Sequence, residues 1–191
     1  MALFVTTCPK FLRLLGSFYE ALPEPLPLKA ELVDPTTIPE PYRGLLVHRN
    51  DMTSTLQRHH GENVELRVLQ KFSTGHVFFR HIVLEGTLSG RPVEYGAIRI
   101  SLRTLSEAAR RQVLECRVPL GGILNACAIA HQSCPGGFFR VQSNELMNEV
   151  LGLDGPQWLY GRCNCLSNAA GETIAEVIEI LPTPPGGQRS L

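Results

Sequence analysis

The amino-acid sequence predicts an α+β fold, with a single antiparallel β-sheet and helices packed against it. Segments of alternating apolar residues follow one another through short turns, which is typical of antiparallel hairpins. One such turn is Ser89-Gly90-Arg91-Pro92, which joins two alternating segments. Segments with the apolar spacing of helices lie apart from them, mainly at residues 10–22, 42–60 and 104–116.

The composition indicates one globular domain, which we expect to span residues 1–182. The chain has 191 residues, of which 43% are hydrophobic and 19% are charged. Its net charge is zero and it has no Lys/Arg block, so nucleic acid and anionic membranes are disfavoured as partners. The N-terminus lacks a basic leader, and no segment has the length of a membrane span, which favours a cytoplasmic location. Residues 183–191 are rich in proline and glycine, and we expect a disordered tail.

The cysteines do not indicate a disulfide framework, because they are scattered through a chain large enough for its own core. Cys163 and Cys165 share one face of a predicted strand and could supply half of a metal site. No second Cys/His pair stands at a suitable spacing, so we predict buried, reduced thiols and no metal. The six cysteines are Cys8, Cys116, Cys127, Cys134, Cys163 and Cys165.

The first third of the chain is predicted to be mainly helical. An amphipathic helix over residues 10–22 ends at a proline cluster, and residues 28–34 form a short extended segment. A second helical region covers residues 42–60. Within this region, Asn50 or Asp51 is expected to cap the N-terminus of a new helix, which places the free N–H groups of its first turn at Met52 and Thr53.

The rest of the chain is predicted to be mostly strands. Gly96 stands inside one of them, where a glycine marks a bulge or a close approach to the backbone. The helices expected here are residues 104–116 capped by Ser106, a short one from Ile123, and residues 144–151 capped by Ser143 or Asn144. The extended segments expected here are residues 64–68, 78–84, 93–102, 126–133, 138–142, 158–166 and 173–181, with a turn at 134–137.

Arg80 is the residue around which the functional argument is built. Its side chain alternates with those of Phe78, Ile82 and Leu84, so it shares an apolar face of one strand. A guanidinium cannot lose its charge and is costly to bury without an anion. That anion is either a carboxylate of the protein, which is the commoner case, or the carboxylate of a ligand.

The last predicted strand contains two glutamates. Glu176 and Glu179 have odd spacing, so in a regular strand they point to opposite faces and one of them lies on the core side. A core-side carboxylate either forms a salt bridge or is an acid with a raised pKa in a site that also binds an anion. Arg162, on the preceding strand, is a partner for an acidic residue or for a ligand.

These motifs, in this order, resemble those of the chorismate lyase (chorismate pyruvate-lyase) family, which has a UTRA-like fold. The resemblance extends from about residue 45 to residue 182. The matching segments are Asp51-Met52-Thr53, Arg80-His81-Ile82-Val83-Leu84, Gly90-Arg91-Pro92 with Gly96, Pro119-Leu120-Gly121, Tyr160-Gly161-Arg162 and Val177-Ile178-Glu179-Ile180-Leu181-Pro182.

The resemblance implies a closed ligand pocket under helical flaps and a reaction that splits chorismate into 4-hydroxybenzoate and pyruvate without a cofactor. By position, Arg80 matches the arginine that binds the ring carboxylate, and Gly96 matches a glycine of the pocket. Met52 and Leu120 match residues whose backbone N–H groups assist Arg80. The family's acid lies on the last strand, where Glu179 is the better match and Glu176 the rival. The product would enter the biosynthesis of a quinone, such as ubiquinone, or of a specialised aromatic metabolite.

One position departs from the family pattern. Some relatives have an arginine where this chain has Ala97. The second carboxylate of chorismate would then need another partner, such as Arg99, Arg162 or a backbone donor.

Two other functions fit the same residues. The first is a non-catalytic domain that binds a small carboxylated metabolite, because this fold type serves as an effector domain in some transcription regulators. Such domains usually follow a winged-helix DNA reader, and the 40 residues before the matching segment are short and proline-rich for one. The second is a related lyase that gives another hydroxybenzoate isomer, since fold-level analogy does not fix the substrate.

Overall fold

In the computed structural model, which describes residues 12–24, 26 and 28–183, seven strands form one antiparallel sheet. The strands are β1 (Lys29–Leu32), β2 (Val64–Thr74), β3 (Val77–Gly86), β4 (Pro92–Ser101), β5 (His131–Gln142), β6 (Trp158–Asn168) and β7 (Thr173–Leu181). Their order across the sheet is β1-β5-β6-β7-β4-β3-β2. The predicted fold class is therefore confirmed.

Six α-helices and two short 3-10 helices connect the strands of the described chain. The α-helices are α1 (Arg13–Glu20), α2 (Tyr42–Leu46), α3 (Met52–His60), α4 (Glu107–Glu115), α5 (Leu120–Ala126) and α6 (Glu145–Leu151). The 3-10 helices are Pro35–Thr37 and Leu102–Thr104. No helix in the described ranges is both long and apolar enough to cross a membrane.

The two faces of the sheet are covered by different helices. One face packs against α1 and α6 in a cluster that includes Phe18, Tyr95, Phe139 and Met147. The opposite face is covered by α2 and α3 in one cluster and by α4 and α5 in another. The strands place apolar residues of this second face in both clusters, so a seam between the two clusters runs across the sheet.

The predicted caps agree with the structure. Asp51 accepts a hydrogen bond from the Ser54 N–H at 2.8 Å and begins α3. Ser106 caps α4 and Asn144 caps α6 in the same way. Each cap satisfies an N–H group that has no partner inside its helix. The beginning of the first predicted helix, the N-terminal segment and residues 184–191 lie outside the described residues.

Three predictions about the middle of the chain were wrong, and the first is the extended segment from residue 126, because Ala126 ends α5 and the strand begins only at His131. The expected turn at residues 134–137 is the interior of β5, with an irregularity between Pro135 and Gly137. Because β1 pairs only with Phe139–Gln142, the earlier part of β5 lies at the edge of the sheet, where a proline is tolerated. In addition, α5 begins at Leu120 and not at Ile123.

The position of Gly121 in the first turn of α5 has a packing reason. A Cβ atom on Gly121 would lie 3.1 Å from Asp51 Oδ1 and 3.2 Å from Thr53 Oγ1. The first turns of α3 and α5 therefore meet closely, and glycine is the residue that allows this approach.

Candidate functional site: a cavity with a buried arginine

A cavity lies at the seam between the two apolar clusters, beneath the first turns of α3 and α5. The space between its atoms, including the mouth, is about 560 Å³, and the centres of water-sized molecules can occupy about 60 Å³ of it. The part that water-sized molecules can occupy is smaller than the ~300–1,000 Å³ typical of sites for small organic ligands, and the rest of the space includes the open mouth. Its lining includes Asp51, Met52, Leu66, Arg80, Ile82, Leu84, Glu94, Gly96, Ile98, Leu120, Asn164, Leu166, Val177 and Glu179.

The strand register explains how these side chains come together. Ile82 pairs with Gly96, Gly96 with Glu179, and Glu179 with Arg162, so the four residues form one row across β3, β4, β7 and β6. Gly96 has no side chain and leaves an opening in the middle of the row. A Cβ atom there would lie 2.5 Å from the Ile178 carbonyl oxygen, so the approach of β7 to β4 requires glycine.

Arg80 lies two residues before Ile82 on β3 and pairs with Ile98 of β4, so it belongs to the neighbouring row, and it is 1% exposed. Its Nε and Nη1 atoms are buried and have no hydrogen-bond partner among the described residues. Burial lowers the pKa of Arg80, whereas the neighbouring Cys116 thiol acts in the opposite direction. No carboxylate of the described chain forms a salt bridge with Arg80, so the protein-carboxylate alternative from the sequence is not supported.

The roof of the cavity comes from the two helix starts. Met52 and Leu120 are the first residues of α3 and α5, and each is 5% exposed and lines the cavity. The first N–H groups of a helix have no partner inside it. The structure therefore places Arg80, Met52, Leu120 and Gly96 around one cavity, and their roles in ligand binding stay predictions.

Glu179 lines the cavity, and its rival Glu176 does not. Glu179 is 5% exposed and accepts a hydrogen bond from Arg162 Nε. Glu176 points to the opposite face, where it forms a 3.2 Å salt bridge with Arg99. The odd spacing of the two glutamates thus separated them as expected.

Arg162 is fully buried and is occupied by partners within the protein. Besides Glu179, its Nη1 atom donates to the carbonyl oxygens of Leu46 and His48, both at 3.0 Å. These carbonyls precede α3, so Arg162 connects Glu179 to the loop that leads into the roof. Arg162 therefore contacts the cavity-lining Glu179 and the loop before α3, and its direct contact with a ligand stays a prediction.

Arg99 is a poor candidate for binding a second ligand carboxylate, because its side chain is 39% exposed and forms a salt bridge with Glu176. Cys163 and Cys165 also lie on the face opposite to the cavity, as their alternation with Arg162 and Asn164 requires.

Sequence reasoning missed Glu94. This residue lines the cavity from β4, is 3% exposed, and its buried Oε2 atom has no hydrogen-bond partner in the described chain. Burial raises the pKa of Glu94 well above its usual value, the negative charge of Glu179 raises it further, and Arg162 opposes both. Its alternation with Gly96 and Ile98 was the available signal, because it places Glu94 on the cavity face.

Comparisons with known proteins support the fold. No family model matches the sequence, and no curated protein matches it. PhnF from Mycobacterium smegmatis matches with a TM-score of 0.54 and 10% identity over 71% of this chain, and the match covers 64% of PhnF. The separate effector domain of PhnF gives a TM-score of 0.52 and 10% identity, over 69% of this chain and 87% of that domain. Gene product SA0254 from Staphylococcus aureus gives 0.52 and 7% identity, over 72% and 90%.

The chain thus has the fold of a UTRA-like domain and spans less than two thirds of the full-length PhnF chain. These matches do not bear on chorismate lyase specifically. At such low identity they carry the fold, and the function has to be argued from the cavity.

Proposed function

We propose that the cavity binds a small organic acid and that Arg80 binds its carboxylate. The observation that carries this proposal is the buried guanidinium of Arg80, which faces the cavity with two N–H donors that have no partner in the described chain. A carboxylate offers two acceptor oxygens and a negative charge, so it matches this group in geometry and in charge. The N–H groups at the starts of α3 and α5 are suited to assist.

The remaining walls favour a ring. Apolar side chains of the sheet surround the opening at Gly96, and these are Leu66, Ile82, Ile98, Leu166 and Val177. A flat ring would lie against these apolar side chains, with its carboxylate directed towards Arg80. A carboxylated ring is therefore the ligand class that best fits the lining.

Binding without chemistry is one way in which this site can serve. The effector domain of PhnF has the same fold as this chain. The corresponding proposal here is a domain that binds an acidic metabolite and changes its contacts in response. It requires Arg80 and the cavity, and it assigns no reaction to Glu179.

Chorismate lyase activity is a second candidate, and the position of Glu179 favours it. Chorismate becomes 4-hydroxybenzoate when the ring carbon that carries the hydroxyl loses its proton and the neighbouring C–O bond breaks. The released enolpyruvate takes up a proton at carbon and becomes pyruvate, so atoms and charge balance without a cofactor. Arg80 would bind the ring carboxylate, and Glu179, opposite Gly96, would transfer the proton.

The test is to incubate the purified full chain with chorismate, without added metal, and to measure both pyruvate and the hydroxybenzoate isomer formed. Arg80→Met replaces the guanidinium with an apolar chain, and Arg99→Met removes an exposed arginine from the opposite face as a matched control. A lyase releases pyruvate and 4-hydroxybenzoate, and Arg80→Met loses this activity while Arg99→Met keeps it.

Direct binding separates the two candidates. We expect benzoate or 4-hydroxybenzoate to bind the wild-type chain, and Arg80→Met to weaken binding about 100-fold, because truncating one partner of a buried charge pair costs about 2–5 kcal/mol. Ligand binding without pyruvate release supports the non-catalytic domain. Release of a different hydroxybenzoate supports a related lyase. Unchanged binding by Arg80→Met, with thermal unfolding showing an intact fold, would contradict the proposed function.

A further inference from the structure

Glu94 is a buried acid, and its hydrogen bonds within the described chain do not compensate for the cost of burying its carboxyl group. It lines the cavity, and its Oε2 atom is enclosed and has no partner in the part of the chain that the structure describes. A buried oxygen without a hydrogen bond costs free energy, so such groups in native proteins require a specific explanation. Glu94 Oε1 lies near the opening at Gly96, since a Cβ atom on Gly96 would be 3.3 Å from it. The carboxyl group is thus at the rim of the space where the ligand is proposed to lie.

Glu94 and Arg80 stand on opposite sides of that opening. On β3 and β4, Arg80 pairs with Ile98, Ile82 pairs with Gly96, and Leu84 pairs with Glu94. The two polar residues are therefore four positions apart along the strands, about 13 Å between their backbones, with Gly96 midway. Both side chains extend from the same face, because the positions differ by even steps. A ring in the cavity would lie between the Arg80 guanidinium and the Glu94 carboxyl, which reaches back towards Gly96.

We propose that Glu94 donates a hydrogen bond to an uncharged oxygen of the ligand, a hydroxyl or an ether oxygen, at the end of the ring opposite to the carboxylate. This inference rests on the proposed function and adds a second recognition element to it. The cavity then selects ligands that carry a carboxylate at one end and a neutral oxygen at the other.

The charges around Glu94 explain why it acts as a donor. Glu179 approaches it from β7, and Arg162 on β6 gives its hydrogen bond to Glu179. Arg80 on β3 and Asp51 at the start of α3 complete the charged groups of the cavity lining. With Glu179 holding the negative charge that Arg162 neutralises, a second charge on Glu94 would face a like charge in a buried place. Glu94 therefore keeps its proton, and a protonated carboxyl has one O–H to donate.

The experiment compares benzoate with 4-hydroxybenzoate by calorimetric titration at neutral pH. The two probes share the carboxylate and the ring and differ in the oxygen at the opposite end. For the wild-type chain we expect 4-hydroxybenzoate to bind about tenfold more tightly, the size expected for one hydrogen bond to a buried group. Probes with the hydroxyl at the 2 or 3 position test whether its place on the ring matters.

Two substitutions assign the preference to Glu94. Glu94→Met removes the donor and keeps a similar length, so the ratio of the two dissociation constants should fall to about one, whatever the affinity of the variant for benzoate itself. Glu94→Gln keeps an N–H donor at the same place and should retain most of the preference. Thermal unfolding of each variant checks the fold, and we expect no loss of stability, since neither change breaks a hydrogen bond of Oε2.

The outcomes are distinguishable. If the wild-type chain binds both probes equally, or if Glu94→Met keeps the preference, the role of Glu94 is wrong while the carboxylate site stands. If neither probe binds, the proposed function itself fails and this inference fails with it. If the preference disappears in Glu94→Met and remains in Glu94→Gln, Glu94 is a specificity-determining residue.

Discussion

Two arginines, Arg80 and Arg162, are the largest fully buried side chains in the described structure, and they stand on the same face of the sheet. The guanidinium of Arg162 contacts Glu179 and the carbonyl oxygens of Leu46 and His48. The guanidinium of Arg80 has two donors without any partner in the described chain and faces a cavity. The two residues have the same chemistry and burial, and they differ in whether the protein supplies the anion.

We interpret this difference as one between a structural arginine and the arginine of the proposed ligand site. Arg162 is neutralised by the fold itself, so its removal would leave Glu179 buried without its partner. Arg80 carries an uncompensated charge, which lowers the stability of the empty protein and is relieved when an anion enters. Such costs are concentrated at functional sites, which is why the proposed ligand site is built on the unpaired arginine and not on the paired one.

The largest effect on stability is expected from Arg162→Met. The substitution leaves the Glu179 carboxylate buried without its partner and frees two carbonyl oxygens of the loop before α3. We expect the free energy of unfolding to fall by about 3–5 kcal/mol, as measured by urea denaturation. Arg80→Met is the matched control and should cost much less or even stabilise the chain. Equal losses in the two variants would contradict the distinction between the arginines.

The next effect concerns the pH dependence of stability at Glu94. Burial and the charge of Glu179 raise the pKa of Glu94 in the folded state, while Arg162 acts against them. The unfolded chain releases the proton near pH ~4.3, whereas the folded chain keeps it, so Glu94 weakens stability as pH rises above that value. The slope from this one group is at most about 1.4 kcal/mol per pH unit and ends where the folded state also loses the proton.

Glu94→Gln isolates this contribution, because glutamine has no charge at any pH. Urea denaturation of both proteins at several pH values between about 5 and 8 should show the variant gaining stability over the wild type as the pH rises. A constant difference would mean that the folded pKa of Glu94 is ordinary. Glu176→Gln is the control at an exposed glutamate, and it should show no such trend.

Much of the fold was predictable because the long strands alternate clearly and the helices carry recognisable caps. Asp51, Ser106 and Asn144 each begin a helix as their side chains suggest. The interior of β5 was not predictable from local residues, since Pro135-Gly136-Gly137 is typical of a turn. Pairing with β6 at a sheet edge overrides that local preference, and such pairing involves residues distant in the chain.

The site was predictable where a charge interrupts an apolar alternation. Arg80 and Glu179 stand among apolar neighbours of the same strand face, so both could be recognised as buried charges. Glu94 follows a turn at the beginning of β4, where a glutamate is usually exposed, so its alternation with Gly96 and Ile98 was a weak signal, and the strand register is what places it over the cavity. The sequence also left two possible partners for Arg162, an acidic residue or a ligand, because a sequence indicates which residues are buried and does not show which of them are in contact.

The smallest expected effect is at the salt bridge of Arg99 and Glu176, which joins β4 and β7 as Arg162 and Glu179 join β6 and β7. The side chains of Arg99 and Glu176 are 39% and 55% exposed, so water screens their attraction. When one of them is replaced, the charge of the other remains hydrated. A double-mutant cycle with Arg99→Met and Glu176→Gln should give a coupling of about 0.2–1 kcal/mol, measured by urea denaturation. The same cycle at Arg162 and Glu179 should give a several-fold larger value. Similar couplings for the two pairs would show that burial on the cavity face does not set the strength of the inner pair.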